Sequence, residues 1–307
     1  MQVHQQWQGL EPGARGASVA MGNFDGVHLG HQSVIDLARP HGALGIVTFE
    51  PHPREYFVPA GPAFRLMNAE TRANRLAKLG VQHLYQLPFD TRLASLSPEA
   101  FAREVLALGL GIGHVVVGAD FQFGKGRAGR AADLQALGEA LGFGVTIAPL
   151  VAAGGREISS TAIRTALTEG RPRDAAAMLG HWHRVDGEVI HGEKRGRELG
   201  FPTANMSIAG LHLVRMGIYA VKVDVLTGPQ AGSYLGAASL GTRPTFGDNA
   251  PNLETFLFDF SGDLYGQHLS VALVDYIRPE LKFDSLPALI ARMAADIAAC
   301  RVVLQAI

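Results

Sequence analysis

The texture of the chain changes once, near residue 180, and that change limits the possible folds more than any other feature. Before it, short apolar runs alternate with amphipathic stretches. "ASVAMGNF" (17–24), "ALGIVTF" (43–49), "VQHLYQLPF" (81–89), "HVVVGADF" (114–121) and "GVTIAPLV" (144–151) read as strands. Between them "HQSVIDLAR", "ETRANRLAKLG", "SPEAFAREVLALG" and "AADLQALGEALG" read as helices, with Ser97 as an N-cap, Pro98 at a first helical position and Gly80 as a C-terminal cap. Continuous apolar strands separated by helices predict a parallel sheet covered on both faces, the doubly wound α/β class. Two further helical stretches, "STAIRTALTEG" and "RPRDAAAMLG", end near Gly180. Beyond it, "HRVDGEVIHG", "GIYAVKVDVL", "YLGAASLGT", "LETFLFDF" and "LSVALVDYI" are separated by Gly, Pro, Asp and Asn. Short, evenly spaced strands with turn chemistry between them predict a small antiparallel β-barrel. The last segment, "SLPALIARMAADIAACRVVL", has helical spacing and is expected to cover one end of it. Two domains are expected, 1–180 and 181–307, in keeping with the 307-residue length, because one core rarely grows past roughly 250–300 residues.

Composition narrows the partners. A hydrophobic fraction of 47% with 18% charged residues suits an ordinary globular chain. A net charge of −1 provides no long-range field for nucleic acid or an anionic membrane. The opening "MQVHQQWQGLEPGARG" has neither the charge cluster nor the apolar core of a signal peptide, and no apolar run is long enough to span a bilayer. The single cysteine, Cys300, excludes an internal disulfide and a thiolate metal cluster. A cytoplasmic protein acting on small molecules is expected.

The first chemical feature is "GNFDGVHLGH" (22–31), at the turn from the first strand to its helix. Open α/β sheets bind ligands at such turns, where Gly22 and Gly26 let a phosphate approach the backbone and the helix N-terminus favours an anion. The glycines are out of register with the G-x-G-x-x-G dinucleotide fingerprint, which disfavours a nucleotide-dependent dehydrogenase. His28 and His31 read as a half-buried polar pair, a metal pair, or donors to a phosphoryl group. The adjacent glycines favour the last.

The stretch closely resembles the H-x-G-H nucleotidyltransferase motif of the bifunctional prokaryotic riboflavin kinase/FAD synthetase family. Three more segments match in order: "TFEPHPREYF" (48–57), "VVVGADFQFGKGRAG" (115–129) and "ISSTAIR" (158–164). The resemblance implies adenylyl transfer from ATP to FMN. His28 and His31 would contact the ATP phosphates, with Gly22 and Asn23 beside them, and Ser160, Thr161 and Arg164 would hold the departing pyrophosphate. Asp120, Phe121, Phe123 and Pro53 would line the flavin pocket. Plain helix capping is the simpler reading of Ser160 and Thr161, and core packing that of the two phenylalanines. The basic "GKGRAGR" reads as a solvated or substrate-gating loop.

In the second domain "HGEKRGRELGFPTAN" (191–205) is not a Walker A motif, and in isolation its Pro-Thr-x-Asn step reads as a turn. Yet "LGFPTAN" is similar to the signature of the riboflavin kinase domain, and "DGEVIHG", "GTRPTFGDN" and "FDFSGDLYG" also match it. The resemblance implies phosphorylation of riboflavin to FMN by ATP. Gly192, Lys194 and Gly196 would form an ATP-binding flap, and Thr203 and Asn205 would supply hard oxygens for Mg²⁺. Glu254, in "NLETFLFDF", would be the base for the ribityl hydroxyl. Many members carry histidine two residues after that glutamate, where this chain has Phe256. A single-activity adenylyltransferase and a non-catalytic flavin-binding regulator are the rival readings; intact Thr203, Asn205, Glu254, His28, His31 and Arg164 disfavour both.

Overall fold

The computed structural model describes residues 1–149, 152–153, 156–192, 200–242 and 251–307, with only the backbone of 152–153, 156–157 and 242. Lys194 and Gly196, and most of "GTRPTFGDN", lie outside the described residues. The chain packs as two compact units: Met1–Pro62 with Arg72–Ile158, and Ala63–Thr71 with Ser159–Ile307.

The first unit is built on six strands: β1 (Gln2–His4), β2 (Ser18–Met21), β3 (Leu44–Glu50), β4 (His83–Pro88), β5 (His114–Gly118) and β6 (Gly144–Ala148). All pair in parallel, in the order β1-β4-β3-β2-β5-β6. Val19, Ala20, Ile46, Val47, Val115, Val116 and Val117 are wholly buried, as a sheet covered on both faces requires. Each of these valine and isoleucine side chains contributes about 1.5–3 kcal/mol through burial. Helix α1 (Leu29–Ala38) falls on a predicted helical stretch, α2 (Pro53–Phe57) forms in "PHPREYF", which carries no helical reading, α3 (Ala69–Lys78) and α4 (Ala131–Leu141) again fall on predicted stretches, and Phe101–Leu110, inside another, winds as a π-helix. The Ser18 hydroxyl donates to the Ala38 carbonyl at 2.7 Å and ties the end of α1 to the start of β2. Strand β2 sits between β3 and β5, so the direction of winding reverses there. The crevice at that switch opens at the carboxyl ends of β2 and β5.

The second unit contains helices α5 (Ser160–Thr168) and α6 (Pro172–Leu179), then β7 (His183–Glu188), β8 (Ala204–Ser207), β9 (Gly217–Val225), β10 (Gly232–Thr242), β11 (Pro251–Leu257), β12 (His268–Arg278) and α7 (Leu286–Gln305). The six strands pair antiparallel in the order β7-β12-β9-β10-β11-β8. A bridge from Ile190 to Asn205 brings the first strand back toward the last, so the sheet nearly closes. Period-two alternation decides which face each residue takes. In β11, Leu253, Thr255 and Leu257 are buried inside, which turns Asn252, Glu254 and Phe256 to the outer face. Helix α7 packs on β9, β10 and β12, where Ala220, Phe258, Val274, Cys300 and Leu304 form a second small core.

Candidate active sites

The loop from β2 to α1 explains its own glycines. Phe24, Gly26 and Val27 take positive φ values of 51°, 91° and 43°, a run of left-handed backbone that bulky residues resist. Complete burial of Phe24 and Val27 holds it in place. At Gly30 a β-carbon would lie 3.1 Å from the His28 ring, a close contact that glycine avoids. His28 is the N-cap of α1: its Nδ1 accepts the His31 backbone N–H at 3.2 Å. In the neutral ring that leaves Nε2–H as the donor. The His31 ring stacks on His28 with centroids 3.7 Å apart and planes 14° from parallel. Burial first, and the neighbouring His28 second, push the His31 pKa well below the usual histidine value, so His31 is neutral at pH 7. Its Nδ1 is buried without a hydrogen-bond partner. An orphaned buried nitrogen beside a helix N-terminus is a group that a bound anion or substrate satisfies.

The other expected residues of this unit leave the same sheet edge, from three adjacent strands. Gly22 and Asn23 follow β2, where the exposed Asn23 accepts the Thr48 hydroxyl through its carbonyl at 3.2 Å. Pro53 opens α2 after β3, behind His52, whose Nδ1 accepts the Arg54 N–H at 3.0 Å. Asp120 and Phe121 follow β5, exposed and half-buried respectively. Phe123 is buried in the core against Phe101, with Phe121 stacked on it at 5.8 Å.

Ser160, Thr161 and Arg164 belong to the second unit, on the first turns of α5. The cap of that helix is Ser159, whose hydroxyl accepts the Ala162 N–H at 3.2 Å, so capping does not account for Ser160 or Thr161. The Arg164 Nε donates to the Phe64 carbonyl at 2.6 Å, and the guanidinium lies 5.5 Å over the Phe64 ring.

The remaining expected residues meet on the outer face of the barrel. Glu254 lies directly opposite Asn205 of β8 on one side and Ser239 of β10 on the other. The Asn205 side-chain oxygen accepts the Asn252 amide at 3.1 Å, and its amide donates to the Thr203 carbonyl at 3.3 Å. Gly192 adjoins Asn205 so closely that a β-carbon there would lie 2.4 Å from its amide nitrogen. Glu254 faces a cavity of about 270 Å³ between the barrel and α7, with Thr203, Ser239 and Phe256 in its wall. Phe256 packs edge-on against Phe201 and Phe258 and makes its side of the cavity apolar. A second cavity, of about 230 Å³, is lined by Pro202, Thr203, Phe260, Asp263 and Tyr265. Thr203 lines both. Ser239, Asp263 and Tyr265 were not singled out from the sequence, although the alternation that exposes Glu254 fixes the place of Ser239 opposite it.

Two family models match the chain, FAD synthetase over residues 11–162 and riboflavin kinase over residues 179–304. A bifunctional riboflavin kinase/FMN adenylyltransferase from Pseudomonas fluorescens is 40% identical, covering 98% of this chain and 97% of that one. The chain belongs to the bifunctional riboflavin kinase/FMN adenylyltransferase family. A member from Escherichia coli strain K12 is 37% identical over 92% of this chain and 90% of its own. A crystal structure of a macrolide-efflux protein from Streptococcus pneumoniae is similar over 96% of both chains, at 31% identity and a TM-score of 0.79. No helix among the described residues is long and apolar enough to cross a membrane. The two family models fall on either side of the change in texture, one on the parallel sheet and one on the barrel.

Proposed function

We propose that this chain makes FAD from riboflavin in two ATP-dependent steps, with residues 181–307 forming FMN and residues 1–180 adenylylating it. The observation that carries the reading is Thr203, which lines two adjoining cavities, one of them faced by Glu254. Phosphoryl transfer needs such an arrangement: acceptor on one side, nucleotide on the other, and polar oxygen between them.

In the first step riboflavin occupies the cavity under α7. Glu254 takes the proton of the ribityl 5′-hydroxyl as its oxygen bonds to the γ-phosphorus, and the bond from that phosphorus to ADP breaks. The Thr203 hydroxyl and the Asn205 side-chain oxygen are hard donors of the type Mg²⁺ takes, few enough to leave most of its shell to phosphates and water. Mg²⁺ held there would neutralise charge on the transferred phosphoryl group. Gly192, with Lys194 and Gly196, is assigned to the ATP flap.

In the second step a phosphate oxygen of FMN attacks the α-phosphorus of a second ATP, and pyrophosphate leaves. His28 and the neutral His31 donate hydrogen bonds to the phosphates beside Gly22 and Asn23, where negative charge accumulates. Ser160, Thr161 and Arg164 are assigned to the pyrophosphate. Asp120, Phe121, Phe123 and Pro53 are assigned to the flavin, Phe123 by backing Phe121. A cytoplasmic location suits a chain whose substrates are ATP and flavins. The test is a time course with riboflavin, ATP and Mg²⁺, resolved by chromatography. FMN first and FAD second is the expected result. FMN alone removes the second step, and conversion of supplied FMN alone removes the first.

A further inference from the structure

The cavity faced by Glu254 has two walls that do not belong to the barrel. One is the connecting segment after β12, which contributes Glu280, Leu281 and Phe283. The other is α7, which contributes Leu289, Met293 and Ile297. A single guanidinium holds both. The Arg278 Nε donates to Oδ1 and Oδ2 of Asp296, at 2.9 and 3.0 Å, and Nη2 donates to Oδ2 at 2.5 Å. Its Nη1 donates to the Pro279 carbonyl at 2.7 Å, at the first residue of the connecting segment. Asp296 lies on α7, three residues after Met293 and one before Ile297, on the stretch that forms the wall. The two side chains are only 10% and 6% exposed, and both line the cavity.

We propose that Arg278 and Asp296 are the positioning residues of the kinase, fixing the connecting segment and α7 as the walls against which the flavin is bound. The inference rests on the kinase reading above, which places riboflavin in this cavity. A buried ion pair adds little net stability compared with an apolar pair of the same size. Its distinctive property is geometry, because a planar guanidinium fork accepts its partners in one orientation only. Arg278 spends that geometry on two separate segments, which an aliphatic side chain cannot do. Glu254 stands on β11, away from both walls in sequence, so loosening them weakens flavin binding before it alters proton transfer.

The test compares Arg278→Lys, Asp296→Asn and the double variant Arg278→Met with Asp296→Leu, in the full-length chain. The lysine variant keeps the charge but loses the fork, so the riboflavin KM is expected to rise about tenfold or more while kcat for FMN formation changes little. The double variant removes both charges of the buried pair and leaves Arg292, whose Nε lies 3.1 Å from Asp296 Oδ1 and whose side chain is 40% exposed, to solvent; it is expected to recover most of the melting temperature lost in the single variants, while the raised KM persists because nothing holds the Pro279 carbonyl. A double variant with wild-type KM, or a folded lysine variant with wild-type KM, overturns the proposal. Glu254→Gln is measured alongside. Retained kinase turnover there removes the cavity's assignment itself, whereas lost turnover there with an unchanged KM in the lysine variant removes only the positioning role.

Discussion

Asn205 and Glu254 face each other across the pairing of β8 with β11, one strand carrying the amide oxygen and the other the carboxylate. Residues directly opposite in an antiparallel pair share a face, with β-carbons about 4.5–5.5 Å apart. The acid–base group and the oxygen ligand of the proposed kinase step are thus adjacent by sheet register. Glu254→Gln keeps the size and the strand position but cannot take a proton at neutral pH. FMN formation is expected to fall by about 10²–10⁴-fold, the range a positioned base contributes. FAD formation from supplied FMN is expected to continue. Equal loss of both activities in a folded protein counts against the division of labour.

His28 does two jobs, and two substitutions separate them. It caps α1 through Nδ1, and its other ring nitrogen is the donor proposed for the phosphates. Asparagine is as good a cap as any residue but has no imidazole, whereas alanine loses both. His28→Asn is therefore expected to keep the wild-type melting temperature and lose adenylylation by about 10²–10³-fold, as removal of one preorganised donor does. His28→Ala is expected to lose the same activity and, in addition, about 1 kcal/mol of stability. Thermal melts and FAD assays on the two proteins decide it; an active asparagine variant would reduce His28 to a cap.

Much of this was legible in the sequence because it rests on period and spacing. Strands β2 to β6 were readable as apolar runs and β11 as a short strand between turn residues, whereas β1, with one apolar residue in three, is a strand only through its pairing with β4. "GNFDGVHLGH" pointed to a phosphate turn because three glycines in ten residues require a backbone reason. What escaped has no local signal. Strand β8 was read as a turn, since Pro202 and Asn205 favour one, and pairing with β11 overrides that preference. The cap of α5 moved one residue back to Ser159 because Ser159 and Ser160 are chemically the same candidate. The segment Ala63–Thr71 packs with the barrel through Leu66, which is wholly buried in its core. The Arg278–Asp296 pair joins residues that are 18 apart, and only the seating of α7 brings them together.

His183 gives the second unit a predictable acid sensitivity. It is 4% exposed at the start of β7, and burial, reinforced by His181 and His212, lowers its pKa to about 3 from an ordinary 6.5. Above pH 6.5 it is neutral in both the folded and the unfolded chain, so its full contribution is present. As the pH falls from 6.5 toward 3, the unfolded chain takes up a proton that the folded chain refuses, and stability declines by up to about 1.4 kcal/mol per pH unit. Urea midpoints at pH 7, 6 and 5 are expected to fall for the wild type. The fall should be shallower in His183→Gln; identical slopes would mean that other histidines carry the effect.

Thr203 is the residue on which the kinase reading is most exposed, because it lines both cavities. Valine matches threonine in shape but has a methyl group where the hydroxyl was, so Thr203→Val removes one oxygen with little change in packing. If the hydroxyl helps to hold the metal, the Mg²⁺ concentration for half-maximal FMN formation is expected to rise about 10–100-fold, the range seen when groups supporting a metal site are removed. Thr203→Ser restores the oxygen and is expected to restore the metal dependence with it. Adenylylation of supplied FMN, measured in the same preparation, reports on the other half of the chain and is expected to be unchanged. A valine variant with the wild-type Mg²⁺ response would leave Thr203 as part of the turn that its proline neighbour first suggested, and the metal would then have to rest on Asn205 and the phosphates.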